Sequence, residues 1–182
     1  MSDKRIEIMD LAEKLIRTKG YNAFSYKDIS VPLQIKNAAV HYHFPKKSDL
    51  GEEIILKTRN AFKKKYIEWE QCLPKEKLKN FIALYEKNQS LNLVCLVGAL
   101  GSSYESLPEN MQISLTKMSE EIRGWMQDVL NEGLKKKEFN FTETADEKTD
   151  VVIAALLSSL ILDKVIQKNI LKSVKASILK SI

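Results

Sequence analysis

Lys36, Asn37, Ala38, Ala39 and His41 fall in one short run of the chain, and their side chains suit the reading of nucleic-acid bases better than the breaking of bonds. Lysine can reach guanine or a phosphate, asparagine can pair with adenine, and alanine is small enough for close approach and for contact with a thymine methyl group. Competing chemistries find less support. His41 and His43 are two residues apart and would point to different faces of a helix, so they do not make a shared metal site. Cys72 and Cys95 carry no metal-ligand spacing and no disulfide pattern, which fits a reducing cytoplasm and no metal or other cofactor. No Ser-His-Asp order, glycine-rich phosphate loop or carboxylate pair marks an enzyme.

These residues need elements to hold them, and hydrophobic spacing supplies those. Ile8, Leu11, Ala12, Leu15 and Ile16 form an amphipathic stripe, and Gly20 then offers a stop. Ser25 and Asp28 have the spacing of a capping box, so a second helix starts near Tyr26, and Pro32 cuts it short. A third short helix covers 36–42. A long fourth helix from about 47 to 71 follows from Leu50, Ile54, Ile55, Thr58, Phe62, Tyr66 and Trp69, with Pro74 at its end.

Leu78, Phe81, Ile82 and Tyr85 mark a further helix, and 91–107 reads as a more apolar one that stops at Pro108. Met111, Leu115, Met118, Ile122, Trp125 and Val129 alternate spacings of four and three, a seam that expects a helical partner. Thr144 and Glu147 cap an apolar helix over 151–165, and Val174 and Ile178 belong to a terminal one. With no strand-period segment, the fold class is all-α, with about nine helices.

The net charge of +5 favours an anionic partner, and its distribution is more telling. Residues 1–50 hold seven Lys and two Arg against six acids, so more than half the excess lies in about the first quarter of the chain. The N-terminus lacks a signal-peptide apolar region, and the longest apolar run is too short to span a bilayer; a cytoplasmic protein with no membrane partner is expected.

The run Val40-His-Tyr-His-Phe-Pro-Lys-Lys, set behind two short helices and a tight turn, resembles the signature of the TetR family of bacterial transcriptional regulators. The resemblance implies an N-terminal three-helix helix-turn-helix head over residues 1–47 and a helical-bundle body over 48–182 for ligand binding and dimerisation. It also implies that Tyr42 and His43 end the recognition helix, that Phe44 packs beneath it, and that Lys47 faces a phosphate at a helix N-terminus. Ser25, Tyr26 and Lys27 would do the same at the start of the second helix. Gln34 stands at the turn position usually held by Gly.

What the resemblance implies for the body is less local. Ile122, Trp125 and Val129 on one helix, and Ala155, Leu156, Ser159 and Leu160 on another, are the candidates for a four-helix bundle across a homodimer axis. Tyr66, Trp69, Phe81, Tyr85, Cys95, Tyr104 and Met118 are candidates to line a pocket for a small-molecule effector, and the scarcity of ionisable residues on the apolar faces favours a hydrophobic one. The expected function is a dimeric repressor on a palindromic double-stranded DNA operator, released by that effector through the fourth helix as a lever. The rival reading is a helical protein-interaction module that has lost sequence-specific DNA binding.

Overall fold

The structure, a computed structural model, describes residues 3–182; the first two residues of the expected head lie outside it. The described residues form nine α-helices and two short 3-10 turns, with no strand. Helices α1 (Asp3–Lys19), α2 (Lys27–Ser30) and α3 (Asn37–His43) make the head, and α4 (Lys47–Glu68) leads into the body. The body holds α5 (Pro74–Ser90), α6 (Leu96–Gly101), α7 (Glu109–Lys135), α8 (Ala145–Ile166) and α9 (Ile170–Lys180).

Local chemistry sets most of these limits. Gly20 has φ of 94° with an extended ψ of 157°, so it turns the chain out of α1 without the left-handed cap conformation expected of it. Ser25 does donate to the Asp28 carboxylate, from N and from Oγ, both at 2.8 Å. Gln34 adopts φ of 52°, which confirms the turn position even though a β-carbon is carried there at some cost. Thr144 and Glu147 close a full capping box before α8.

Two expected boundaries are corrected. Helix α4 ends at Glu68, and Pro74 opens α5 at its first turn, where a missing N–H costs nothing. The single apolar helix expected over 91–107 is broken: Asn92 takes φ of 53° after α5, α6 is short, and a 3-10 turn at Tyr104–Ser106 completes the segment. Leu91 and Leu93 leave the helical path there and line a cavity instead.

The head's core is continuous with the body's. Ile8, Phe24, Ile29, Val40, Phe44, Leu50 and Ile54 belong to the same buried cluster as Leu96, Leu100, Met111 and Met118. A second cluster fills the far end, with Phe62, Leu78, Phe81, Met126, Leu130, Leu156 and Ile178. Gly51 on α4 allows α7 to come close, because a β-carbon there would stand 2.6 Å from the Met111 thioether. Head and body therefore share α4 and the packing on both of its flanks.

Candidate nucleic-acid interface and cavity

Helix α3 places its chemistry outward because one residue anchors it inward. Val40 is fully buried, while Asn37, Ala38, His41 and Tyr42 are exposed, Tyr42 to 82%. Lys36 precedes the helix in extended conformation and is exposed; Ala39 and His43 are half-buried. Ser25 and Lys27 are exposed at the start of α2. This is one solvent-facing row with the donors and small residues that a major groove accepts.

Tyr26 is not part of that row. It is buried, its hydroxyl donates to the Phe44 carbonyl at 2.7 Å, and its ring meets His41 edge-on with centroids 4.6 Å apart. Burial first, then the charge of Asp49, pushes its pKa up to about 12, so it stays a donor. Tyr26 therefore positions α3 against α2.

Lys47 also turns inward. Its ammonium donates to the carbonyls of Tyr21, at 2.6 Å, and Phe24, and lies over both rings, 4.5 and 4.1 Å from their centroids. Burial holds its pKa below the ordinary lysine value, with Asp28 opposing. A lysine so engaged closes the turn after α1. Its neighbour Lys46 is exposed in extended conformation before α4, with its N–H donating to the Asp49 carboxylate at 3.2 Å. Adjacent lysines are alike in sequence, and only the packing shows which one turns outward.

A cavity of about 940 Å³, open to solvent on one side, lies between α1, α4, α5, α6, α7 and α8. Of the candidate pocket residues, Phe81, Tyr85, Cys95 and Met118 line it. Tyr66 and Trp69 lie outside, in an aromatic cluster with Phe62 and Trp125. Tyr104 is drawn off to Thr116, 2.8 Å from its hydroxyl. The wall also carries Asp10, Glu13, Lys14, Arg17, Lys65, Lys87, Arg123 and Asp150, so it is more charged than the apolar faces implied. Asp10, Glu13, Lys14 and Arg17 come from α1, a contribution of the head that hydrophobic spacing cannot reveal.

The expected pairing residues face inward. Val129, Leu156, Ser159 and Leu160 are buried within the single chain, Trp125 packs against Phe62 and Phe81, Ile122 lines the cavity, and Ala155 is half-buried against the core. The seam on α7 finds its helical partners inside the subunit. Helix α8 instead exposes Val151, Ala154, Ser158, Ile161, Leu162 and Val165, at spacings of three and four. No described helix is long and apolar enough to cross a membrane, and no group of three or more metal-ligating side chains occurs among the described residues.

Residues 8–54 match the model for bacterial regulatory proteins of the tetR family. The chain is similar to a TetR transcriptional regulator from Legionella pneumophila, with 30% identity over 100% of this chain and 98% of the other and a TM-score of 0.87. It is also similar to a TetR-family transcriptional regulator from Agrobacterium tumefaciens, with 27% identity over 98% of this chain and 97% of the other and a TM-score of 0.92. No curated protein matches the sequence.

Proposed function

This chain belongs to the TetR family of bacterial regulatory proteins, and we propose that it is a cytoplasmic repressor that binds a palindromic operator as a homodimer and releases it when a small molecule fills the cavity. Its work is regulatory, not enzymatic. Residues 1–47 serve as the reading head and 48–182 as the ligand-binding and pairing body.

The observation that carries this reading is the outward row Lys36, Asn37, Ala38, His41 and Tyr42 on a helix held from behind by Val40, Phe44 and the Tyr26 hydroxyl. Asn37 and Lys36 are the base readers, and Ser25, Lys27 and Lys46 hold phosphates. One such head makes few contacts, and two heads related by a two-fold axis read two half-sites about one DNA turn apart. The exposed apolar row on α8 gives a self-complementary surface for that pairing, in which Ala154 and Ser158 allow close approach of a second copy.

Release follows from what the cavity touches. Its wall includes α1 and α4, so a ligand that favours another arrangement of these helices alters the spacing of the two heads. Such a ligand must prefer the non-binding arrangement by a few kcal/mol, on the order of 10²-fold or more.

Selection of genomic fragments by the purified protein at near-physiological salt tests the reading. Recovery of one palindromic sequence is expected. Weak retention without sequence preference would favour a protein-interaction module instead.

A further inference from the structure

Most polar groups lining the cavity are already engaged. The Thr58 hydroxyl donates to the Ile54 carbonyl at 2.9 Å and the Ser119 hydroxyl to the Leu115 carbonyl at 2.8 Å. Asp10 is held by Lys57, Glu13 by Lys57 and Arg17, and Asp150 by Arg123. Lys14 and Lys87 have no ion pair among the described residues, which leaves the wall with a positive surplus.

Tyr85 is the buried one among the unpartnered groups. The residue is only 8% exposed, it lines the cavity, and its hydroxyl has no hydrogen-bond partner among the described residues, yet it is not sealed from access. With no partner among the described residues and with access to the cavity, the hydroxyl is left to donate to whatever occupies that space. Burial, and then the neighbouring Cys95, raise its pKa, so it is a donor and not an anion.

Tyr85 does not stand alone. Cys95 and Arg17 line the same cavity. Arg17 donates from its second terminal nitrogen to Asn88 Oδ1 at 2.6 Å, one helical turn from Tyr85 on α5. One corner of the wall thus holds the Tyr85 O–H and, bonded to Asn88 one turn further along α5, the Arg17 guanidinium, with the apolar Phe62, Phe81, Met118 and Leu157 elsewhere on the wall. Such a corner recognises an oxyanion on an apolar body.

We propose that the cavity takes an apolar organic acid whose carboxylate accepts from the Tyr85 hydroxyl and draws the Arg17 guanidinium away from Val94 and Asn88. The first part names the effector class and rests on the reading of the cavity as the effector site. The second gives the route of release: Arg17 belongs to α1, and its bonds to the 88–94 segment tie the head to the cavity wall.

The test uses three apolar bodies, phenylhexyl, decyl and naphthylmethyl, each as carboxylate, alcohol and amine. Binding to the full chain is followed by tryptophan emission, since Trp125 packs on cavity-lining Phe81, and by thermal shift. At least one carboxylate is expected to bind about tenfold or more tightly than its alcohol and amine, and Tyr85→Phe is expected to weaken that carboxylate about tenfold, the loss of one hydrogen bond to a charged group. Equal affinity across the three head groups, failure of every carboxylate to bind, or undiminished carboxylate binding by Tyr85→Phe would overturn the proposed ligand class.

Operator binding is measured beside it. Carboxylate binding that leaves DNA affinity unchanged would overturn the release route and the effector reading while the ligand class stands. Release of operator by the alcohols or amines with no response to carboxylates would leave the effector reading standing and overturn the ligand class.

Discussion

Arg17 Nε donates to the Val94 carbonyl at 2.9 Å, which fastens the end of the first helix of the head to the segment that walls the cavity. Val94 N returns a long bond of 3.4 Å to the Arg17 carbonyl, and Glu13 braces the guanidinium at 3.1 Å. Arg17→Ala removes all of the side-chain bonds at once from a mostly buried site. It is expected to lower stability by roughly 1.5–3 kcal/mol, the range for a hydrogen-bonded buried charge. Urea unfolding should show a lower midpoint at unchanged slope, with faster amide exchange at the end of α1. An unchanged midpoint would mean that the contact is incidental.

Lys46 and Lys47 should separate cleanly. Lys47→Ala strips two carbonyls and two rings of their cation and is expected to lower head stability by about 1–3 kcal/mol. Lys46→Ala should leave unfolding unchanged, weaken binding to all DNA alike, and reduce the slope of log affinity against log salt by roughly one. Asn37→Ala should instead relax discrimination at one base pair, worth about 1–3 kcal/mol. Thermal unfolding and anisotropy titrations at several salt concentrations read all three variants. A Lys46 variant with an unaltered salt slope would remove that residue from the interface.

Much of the head was legible because its signals are local. Pro32 shortens α2 whatever surrounds it, and Gln34 reveals a turn through its place between two short helices. The direction of a long side chain is not local: Lys47 finds two carbonyls and two rings more than twenty residues back in the chain, and no spacing rule shows that. The body's helices could be read, but their facing could not. Helix α8 is apolar on nearly every side, so its sequence has no phase to tell Leu156, turned inward, from Val165, turned outward. The break at Asn92 was hidden for a related reason, since the apolar residues on either side serve a cavity wall as well as they serve a helix.

Arg59 and Glu121 join α4 to α7 through paired bonds, one of them 2.7 Å from Nε, with Lys63 nearby at 3.3 Å. The Arg59 hydrogen bond first, then Lys63 and the charges, hold the Glu121 carboxyl at about 2 against the ordinary 4.5. Its folded pKa is depressed, so the contribution to stability is fully present above about 4.5 and is lost progressively as the pH falls from there through about 2. The pair is partly exposed, so solvent screens it and its worth is that of a surface ion pair. Glu121→Gln is expected to lower Tm by roughly 2–4 °C at neutral pH. The gap should narrow between pH 5 and pH 3, as calorimetry across that range would show; a constant gap would contradict the assignment.

The outward row on α8 makes a sharp demand on assembly. Ser158→Glu places a charge at the centre of the proposed pairing surface, where it would be desolvated without a partner. The dimer dissociation constant is expected to rise by about 10²-fold or more, the equivalent of a few kcal/mol. Folding should be unaffected, since Ser158 is exposed in the single chain. Sedimentation velocity over a range of concentrations checks this, and a dimer that persists unchanged would place the pairing surface elsewhere.

The most direct measurement takes the recovered palindrome and the same duplex with one half-site scrambled, and compares their affinities by anisotropy at about 150 mM salt. If two heads built on α3 read two half-sites together, scrambling one should weaken binding by on the order of 10²-fold or more, with two chains bound to the intact site. Equal affinity for both duplexes would contradict a dimeric, sequence-reading regulator.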